Sequence, residues 1–191
     1  MTKKISKKDK IYIAAARLFK TNGYQATSMR QLAKEVGLEA SSLYSHISSK
    51  QEILSQICLN EANKFQDNLN ITLREEQDVF ELLRKISYYH IETALEDPMS
   101  VTVFNDEWRH LEEPTISQFR SKRKAYEKQI LDIIERGIDE DLIIQGDSFV
   151  LYQTFLSSFK WLYLWYRPGR EIDKDSLKAD ISGVILKGLR K

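Results

Sequence analysis

Between Thr27 and Lys50 the chain sets hydroxyls, a phenol and an amine around a regular apolar frame. Leu32, Ala33, Val36, Leu38, Leu43 and Ile47 fall on one side of two short helices joined at Gly37. The other side of the second helix carries Glu39, Ala40, Ser41, Ser42, Tyr44 and Ser45. These groups exchange hydrogen bonds but hold no nucleophile beside a base, so they suit phosphate oxygens and base edges rather than bond cleavage. Thr27 and Ser28 precede the first of the two helices, where free N–H groups and the helix dipole favour an anion. Lys50 follows beside the same surface. Two helices and a tight turn of this kind form a helix-turn-helix, whose second member enters the major groove of DNA. A plain three-helix packing unit with a solvated basic face would show the same pattern.

Other chemistry finds little support. No two glycines have the spacing of a phosphate-binding loop, and no His-Glu-x-x-His occurs. His46, His90 and His110 are not at ligand spacing, so no metal and no cofactor are expected. Cys58, the only cysteine, excludes an internal disulfide and fits best as a core residue. An enzyme is therefore not expected. The middle of the chain does mix aromatic and polar residues, among them Tyr88, Asn105, Trp108, Arg109, Arg123, Tyr126, Trp161 and Trp165. An apolar cavity with a few polar groups is what a small-molecule site needs. Residue by residue, an aromatic core with satisfied polar tips is the plainer reading.

The elements that must position these residues are helices. Seven glycines and three prolines punctuate 191 residues, and none lies between Gly37 and Pro98, which leaves no room for a sheet of short strands. The expected fold is all-α with nine helices. They run over about 7–21, 28–36, 40–47, 49–65, 78–96, 98–111, 114–138, 147–167 and 174–189. Capping-box spacing at Ser28…Gln31 and Ser49…Glu52 opens the second and fourth. In the eighth, Phe149, Tyr152, Leu156, Phe159, Tyr163 and Tyr166 form one seam. Ser158, Trp161, Leu162 and Trp165 form a second strip. A helix apolar on two sides is buried on two sides, so the seam is expected in a homodimer built from helices eight and nine, with the second strip turned inward. The polar interruptions of this helix argue against a membrane span.

Net charge is +1, but it is unevenly spread. Residues 1–50 carry ten basic and three acidic side chains, and the rest of the chain is acidic in balance. This predicts two domains, a DNA-binding 1–50 and a ligand-binding, dimerising 51–191. The Lys-rich segment Lys3–Lys10 reads as an arm that tracks phosphate, or as a solubilising tail.

Residues 11–54 resemble the DNA-binding domain of TetR-family transcription regulators. The resemblance rests on Ala15, Leu18-Phe19, Gly23-Tyr24, Ala26-Thr27-Ser28-Met29, the run Leu32 to Leu38, and the run Leu43 to Lys50. It implies phosphate contacts from Thr27, Ser28, Tyr44 and Lys50, and base reading by the Glu39–Ser45 segment. One departure is Ala40-Ser41 where relatives often have a basic residue and glycine; Glu39 is also acidic. The resemblance further implies a dimer through the last two helices and an inducer among the middle ones. A narrower likeness runs over Phe104–Arg109 and Trp161–Gly169 to repressors of fatty-acid or sterol degradation that answer acyl-CoA thioesters. The expected function is thus a cytoplasmic, dimeric repressor of a palindromic DNA operator, released by a small hydrophobic effector such as an acyl-CoA. A helical small-molecule-binding or interaction protein without gene control is the alternative.

Overall fold

The computed structural model describes residues 6–191, and helices dominate it. The helices are α1 (Lys7–Asn22), α2 (Met29–Glu35), α3 (Ala40–Tyr44), α4 (Lys50–Glu75), α5 (Val79–Glu96), α6 (Pro98–Thr102), α7 (Thr115–Asp139), α8 (Ser148–Ser157), α9 (Lys160–Trp165) and α10 (Lys174–Leu189). Beyond α6 the chain continues as a π-helical turn over Val103–Glu107 and a 3-10 turn over Trp108–His110. No strand forms among the described residues, whose one β feature is a single antiparallel bridge between Ile143 and Arg190.

Local chemistry sets the helix ends. Ser6 accepts the Asp9 N–H while Asp9 accepts the Ser6 N–H, which closes the start of α1. Ser28 and Gln31 do the same for α2. Ser49 caps α4 through the Glu52 N–H, but the Glu52 carboxylate reaches past it to Ser48. Lys7, Lys8 and Lys10 belong to α1, so half of the expected basic arm is helical; Lys3 and Lys4 lie outside the described residues.

The chain divides into two compact units. The first contains the described residues up to Asn63 together with Met99–Arg120; the second contains Lys64–Pro98 and Ser121–Lys191. The division expected at residue 50 is not where compactness divides the chain, because residues 99–120 pack with the N-terminal helices. Ile11, Ala15, Phe19, Leu32, Leu43, Ile53 and Leu54 form that unit's core, and Val103, Leu111 and Phe119 complete it. Cys58 is buried there, and burial pushes its thiol up to about 12, with the Glu61 and Glu107 charges adding to the effect.

In the second unit α5 packs on α10 and α9. Leu82, Leu83, Ile86 and Ile91 supply its apolar face. A Cβ on Gly137 would lie 2.6 Å from Ile143, so glycine is what lets the chain fold back after α7. The Gly137 carbonyl then accepts the Leu142 and Ile143 N–H groups.

The eighth expected helix is two helices, and its expected faces are exchanged in part. The Ser158 hydroxyl donates to the Thr154 carbonyl at 2.7 Å where α8 ends, and α9 starts two residues later. Tyr152, Phe159, Tyr163 and Tyr166, expected at a dimer seam, are buried within the unit. Trp161 and Trp165, expected inside, are exposed by 43% and 36%; Leu162 is buried as expected. Phe149, expected at the seam, is exposed, and Val150, Leu164 and Val184 join the exposed apolar set.

Candidate nucleic-acid interface

The head begins with a corner between α1 and α2. Gly23 ends α1 with φ +82, and its N–H donates to the Phe19 carbonyl at 2.9 Å. Thr27 is buried, and its hydroxyl donates to the Gly23 carbonyl at 2.9 Å. Arg17 pairs with Glu35 across α1 and α2. After α2 the chain turns at Gly37, φ +68; the Gly37 N–H donates to Lys34 and the Leu38 N–H to Ala33. This paired closure satisfies the last carbonyls of α2 and fixes the exit direction of the chain.

α3 is short and is anchored by Leu43, which is fully buried. Ile47 is buried just after it. Glu39, Ala40, Ser41, Tyr44 and Ser45 are exposed, and Ser42 is half-buried. Tyr44 is 53% exposed, which is unusual for so large a residue and leaves its phenol available to a partner. Ser45 donates its hydroxyl to the Ser42 carbonyl, so its oxygen remains as an acceptor. Ser28 is exposed, with its hydroxyl donated to Gln31.

Lys50 does something the sequence did not indicate. Its ammonium donates to the carbonyls of Tyr24 (2.8 Å), Gln25 (3.3 Å) and Thr27 (2.8 Å) and lies 4.3 Å from the Tyr24 ring centroid. An ammonium has three protons, and here each has an acceptor. Burial lowers the Lys50 pKa from its ordinary value. Thr27 and Lys50 therefore shape the corner from within.

Residues 99–120 hold the same corner. The Glu107 carboxylate accepts the Tyr24 N–H at 3.2 Å. The His110 ring stacks on Tyr24 at 5.6 Å, and its Nδ1 is 3.4 Å from the Gln25 amide nitrogen. Gln51 donates to the His110 carbonyl. Burial, then the nearby Glu112, pushes the Tyr24 phenol up to about 12. Sequence reasoning missed Glu107 and His110, because partners more than eighty residues apart leave no periodic trace. In the sequence Glu52 reads only as a cap. Its carboxylate accepts the Ser48 N–H at 2.7 Å and hydroxyl at 2.8 Å, which holds its pKa down, and pairs with Lys8 at 3.2 Å.

The expected ligand residues are divided between the two compact units. Asn105, Trp108 and Arg109 belong to the first unit. Asn105 donates to the Val101 carbonyl, Trp108 stacks on Phe119 at 5.6 Å, and Arg109 is exposed. The other five belong to the second unit. Tyr126 is 2.8 Å from His90 Nε2, and the His90 ring is stacked between Phe65 (4.7 Å) and Phe159 (5.4 Å). Burial drops the His90 pKa to about 4 and raises that of Tyr126, so the pair is neutral near pH 7. Tyr88 lies against Arg84 and Lys178, Trp161 against Trp165, and Arg123 is exposed. Among the described residues no three His, Cys, Asp or Glu side chains gather as metal ligands, and no helix is long and apolar enough to cross a membrane.

A polar, exposed short helix held behind a glycine turn on a three-helix frame defines a helix-turn-helix DNA-binding module. Two family profiles together span most of the chain. That of bacterial regulatory proteins of the tetR family matches residues 11–57, and that of the tetracyclin repressor-like C-terminal domain matches residues 76–189. The chain belongs to the TetR family of transcriptional regulators. It is 25% identical over 192 residues to the HTH-type transcriptional repressor KstR2 of Mycobacterium tuberculosis, covering 97% of this chain and 94% of that protein. The solved structure of the ketosteroid transcriptional regulator KstR2 of Mycobacterium tuberculosis matches with a TM-score of 0.90 at 22% identity, covering 99% and 97% of the two chains. AibR in complex with isovaleryl coenzyme A and operator DNA matches with a TM-score of 0.79 at 22% identity, covering 94% of this chain and 97% of AibR.

Proposed function

We propose that the protein is a dimeric repressor that binds a palindromic operator and is released by an acyl-CoA thioester. DNA contact falls within residues 1–50, and ligand binding and dimerisation within 51–191. Ser28, Glu39, Ala40, Ser41, Ser42, Tyr44 and Ser45 meet the DNA, while Thr27 and Lys50 act through the corner they hold. The dimer forms through the exposed apolar residues of α8–α10, which a monomer would leave in water. Two copies of the head then read two half-sites. Repression and an acyl-CoA effector agree with the KstR2 repressors and with the ligand of AibR. The protein acts on cytoplasmic DNA.

His90 and Tyr126 are the proposed polar anchors of the effector. Both are surrounded by protein yet keep accessible surface, as side chains lining an internal space do. Tyr88, Arg123, Trp161 and Trp165 share the unit of these anchors, and Asn105, Trp108 and Arg109 belong to the other.

The observation that carries ligand control is the hold of Glu107 and His110 on the Tyr24 corner. α4 and α7 each have residues in both compact units. A ligand that shifts α7 thereby pulls on residues 99–120 and on the corner behind α2. Ligand and operator then weaken each other by one shared coupling free energy, typically about 1–3 kcal/mol. The test is an electrophoretic shift of DNA flanking the coding sequence, with isovaleryl-CoA, a long-chain acyl-CoA or free CoA added. Release by an acyl-CoA, matched by weaker acyl-CoA binding in calorimetry when operator is present, is expected. Equal acyl-CoA affinity with and without operator would sink the coupling, and no retarded DNA would sink the repressor.

A further inference from the structure

We propose that Glu39 is a base-reading residue whose carboxylate accepts a hydrogen bond from the exocyclic amine of a cytosine in the major groove. This rests on the operator-binding function proposed above. Glu39 immediately precedes α3, with φ −69 and ψ 148, and its carbonyl accepts the Leu43 N–H at 3.0 Å. It therefore stands at the end of the recognition helix that leads into the groove. Residues in this position ordinarily cap the helix with a short side chain, but the Glu39 carboxylate makes no capping bond.

The first fifty residues contain three acids, and two have internal tasks. Asp9 caps α1, and Glu35 pairs with Arg17. Glu39 alone among the three has neither a cap nor an ion pair among the described residues, and it is exposed beside the short side chains of Ala40 and Ser41. On the outward face of α3 only Tyr44 has comparable reach.

A carboxylate brought against DNA is repelled by the phosphates unless it meets a donor. In the major groove the donors are the amines of cytosine and adenine. Adenine sets the N7 acceptor beside its amine, which opposes a second carboxylate oxygen; cytosine offers its amine without that neighbour. A cytosine is the base whose edge fits.

The test selects binding sites from randomised duplexes with the full-length protein and with Glu39→Gln and Glu39→Ala. Wild type is expected to enrich cytosine at one position of each half-site and to lose about tenfold in affinity when that base becomes thymine. Glu39→Gln should turn that position toward adenine, because an amide both donates to N7 and accepts from the amine. Glu39→Ala should abolish the preference there and nowhere else. Both variants should melt with wild type, since no internal bond is lost. If both keep the wild-type consensus and only bind every sequence more tightly, the carboxylate merely repels phosphate and the proposal is overturned. If wild type enriches no sequence, operator binding itself fails and the proposal falls with it.

Discussion

Two exposed surfaces of this chain follow opposite rules. The outward face of α3 is small and polar, with Ala40, Ser41 and Ser45 around the reach of Glu39 and Tyr44. The outward face of α8–α10 is large and apolar, with Trp161 exposed by 43%, Leu164 by 60% and Val184 by 75%. Water competes for every hydrogen bond that the first surface can make, so its binding depends on geometry fixed beforehand. Water drives the second surface toward any matching apolar face. The difference explains where the internal polar bonds lie. The head holds one corner with Lys50, Thr27, Glu107 and His110, whereas the α8–α10 surface is backed by buried Tyr152, Phe155, Phe159 and Tyr163.

The contrast can be broken at four points. The largest effect is expected from Leu164→Asp with Val184→Asp, which sets four new charges in each dimer. Self-association should weaken by about a thousandfold in sedimentation equilibrium, because unpaired charges cannot be left dry. A dimer of unchanged strength would move the interface elsewhere. Next comes Lys50→Met, which keeps the stem and removes three charged hydrogen bonds. We expect about 2–3 kcal/mol less stability in thermal melts and a far weaker operator shift. Wild-type melting would mean that the corner holds itself.

The third point is pH. Unfolded histidine titrates near 6.5, while His90 in the fold titrates at about 4. Between these values the unfolded chain holds more protons, so stability is whole above about pH 6.5 and falls as pH falls toward 4. Urea midpoints across that window should drop for wild type and drop less for His90→Leu; parallel curves would place the titration on another group. The smallest effect belongs to Lys7→Gln with Lys10→Gln at the exposed start of α1. If each amine meets a phosphate, the salt slope of operator binding should flatten by about 0.9 per amine. An unchanged slope would assign them to solubility alone.

Much of the fold was legible because its punctuation is chemical. Gly23, Gly37, Ser28…Gln31 and Pro98 announce helix ends by what they permit or satisfy locally. The break inside the eighth expected helix was not legible, since no glycine or proline marks it and a serine hydroxyl at Ser158 closes the turn. Periodicity likewise showed two apolar strips there but carried no sign of which one faces inward. The candidate site divides the same way. Tyr44 and Ser41 could be placed outward from Leu43 and Ile47 alone. Lys50 looked like a phosphate ligand because its acceptors, the carbonyls of Tyr24, Gln25 and Thr27, are backbone atoms that no residue type announces.

The buried Cys58 gives the head a built-in clock. Its thiol is enclosed and, at about 12, almost wholly protonated at neutral pH, so it is a poor target for mild oxidants. A disulfide reagent reaches it only in the moments when the packing around α4 opens. The rate of labelling therefore counts those openings, and anything that tightens the head, operator DNA included, slows the count.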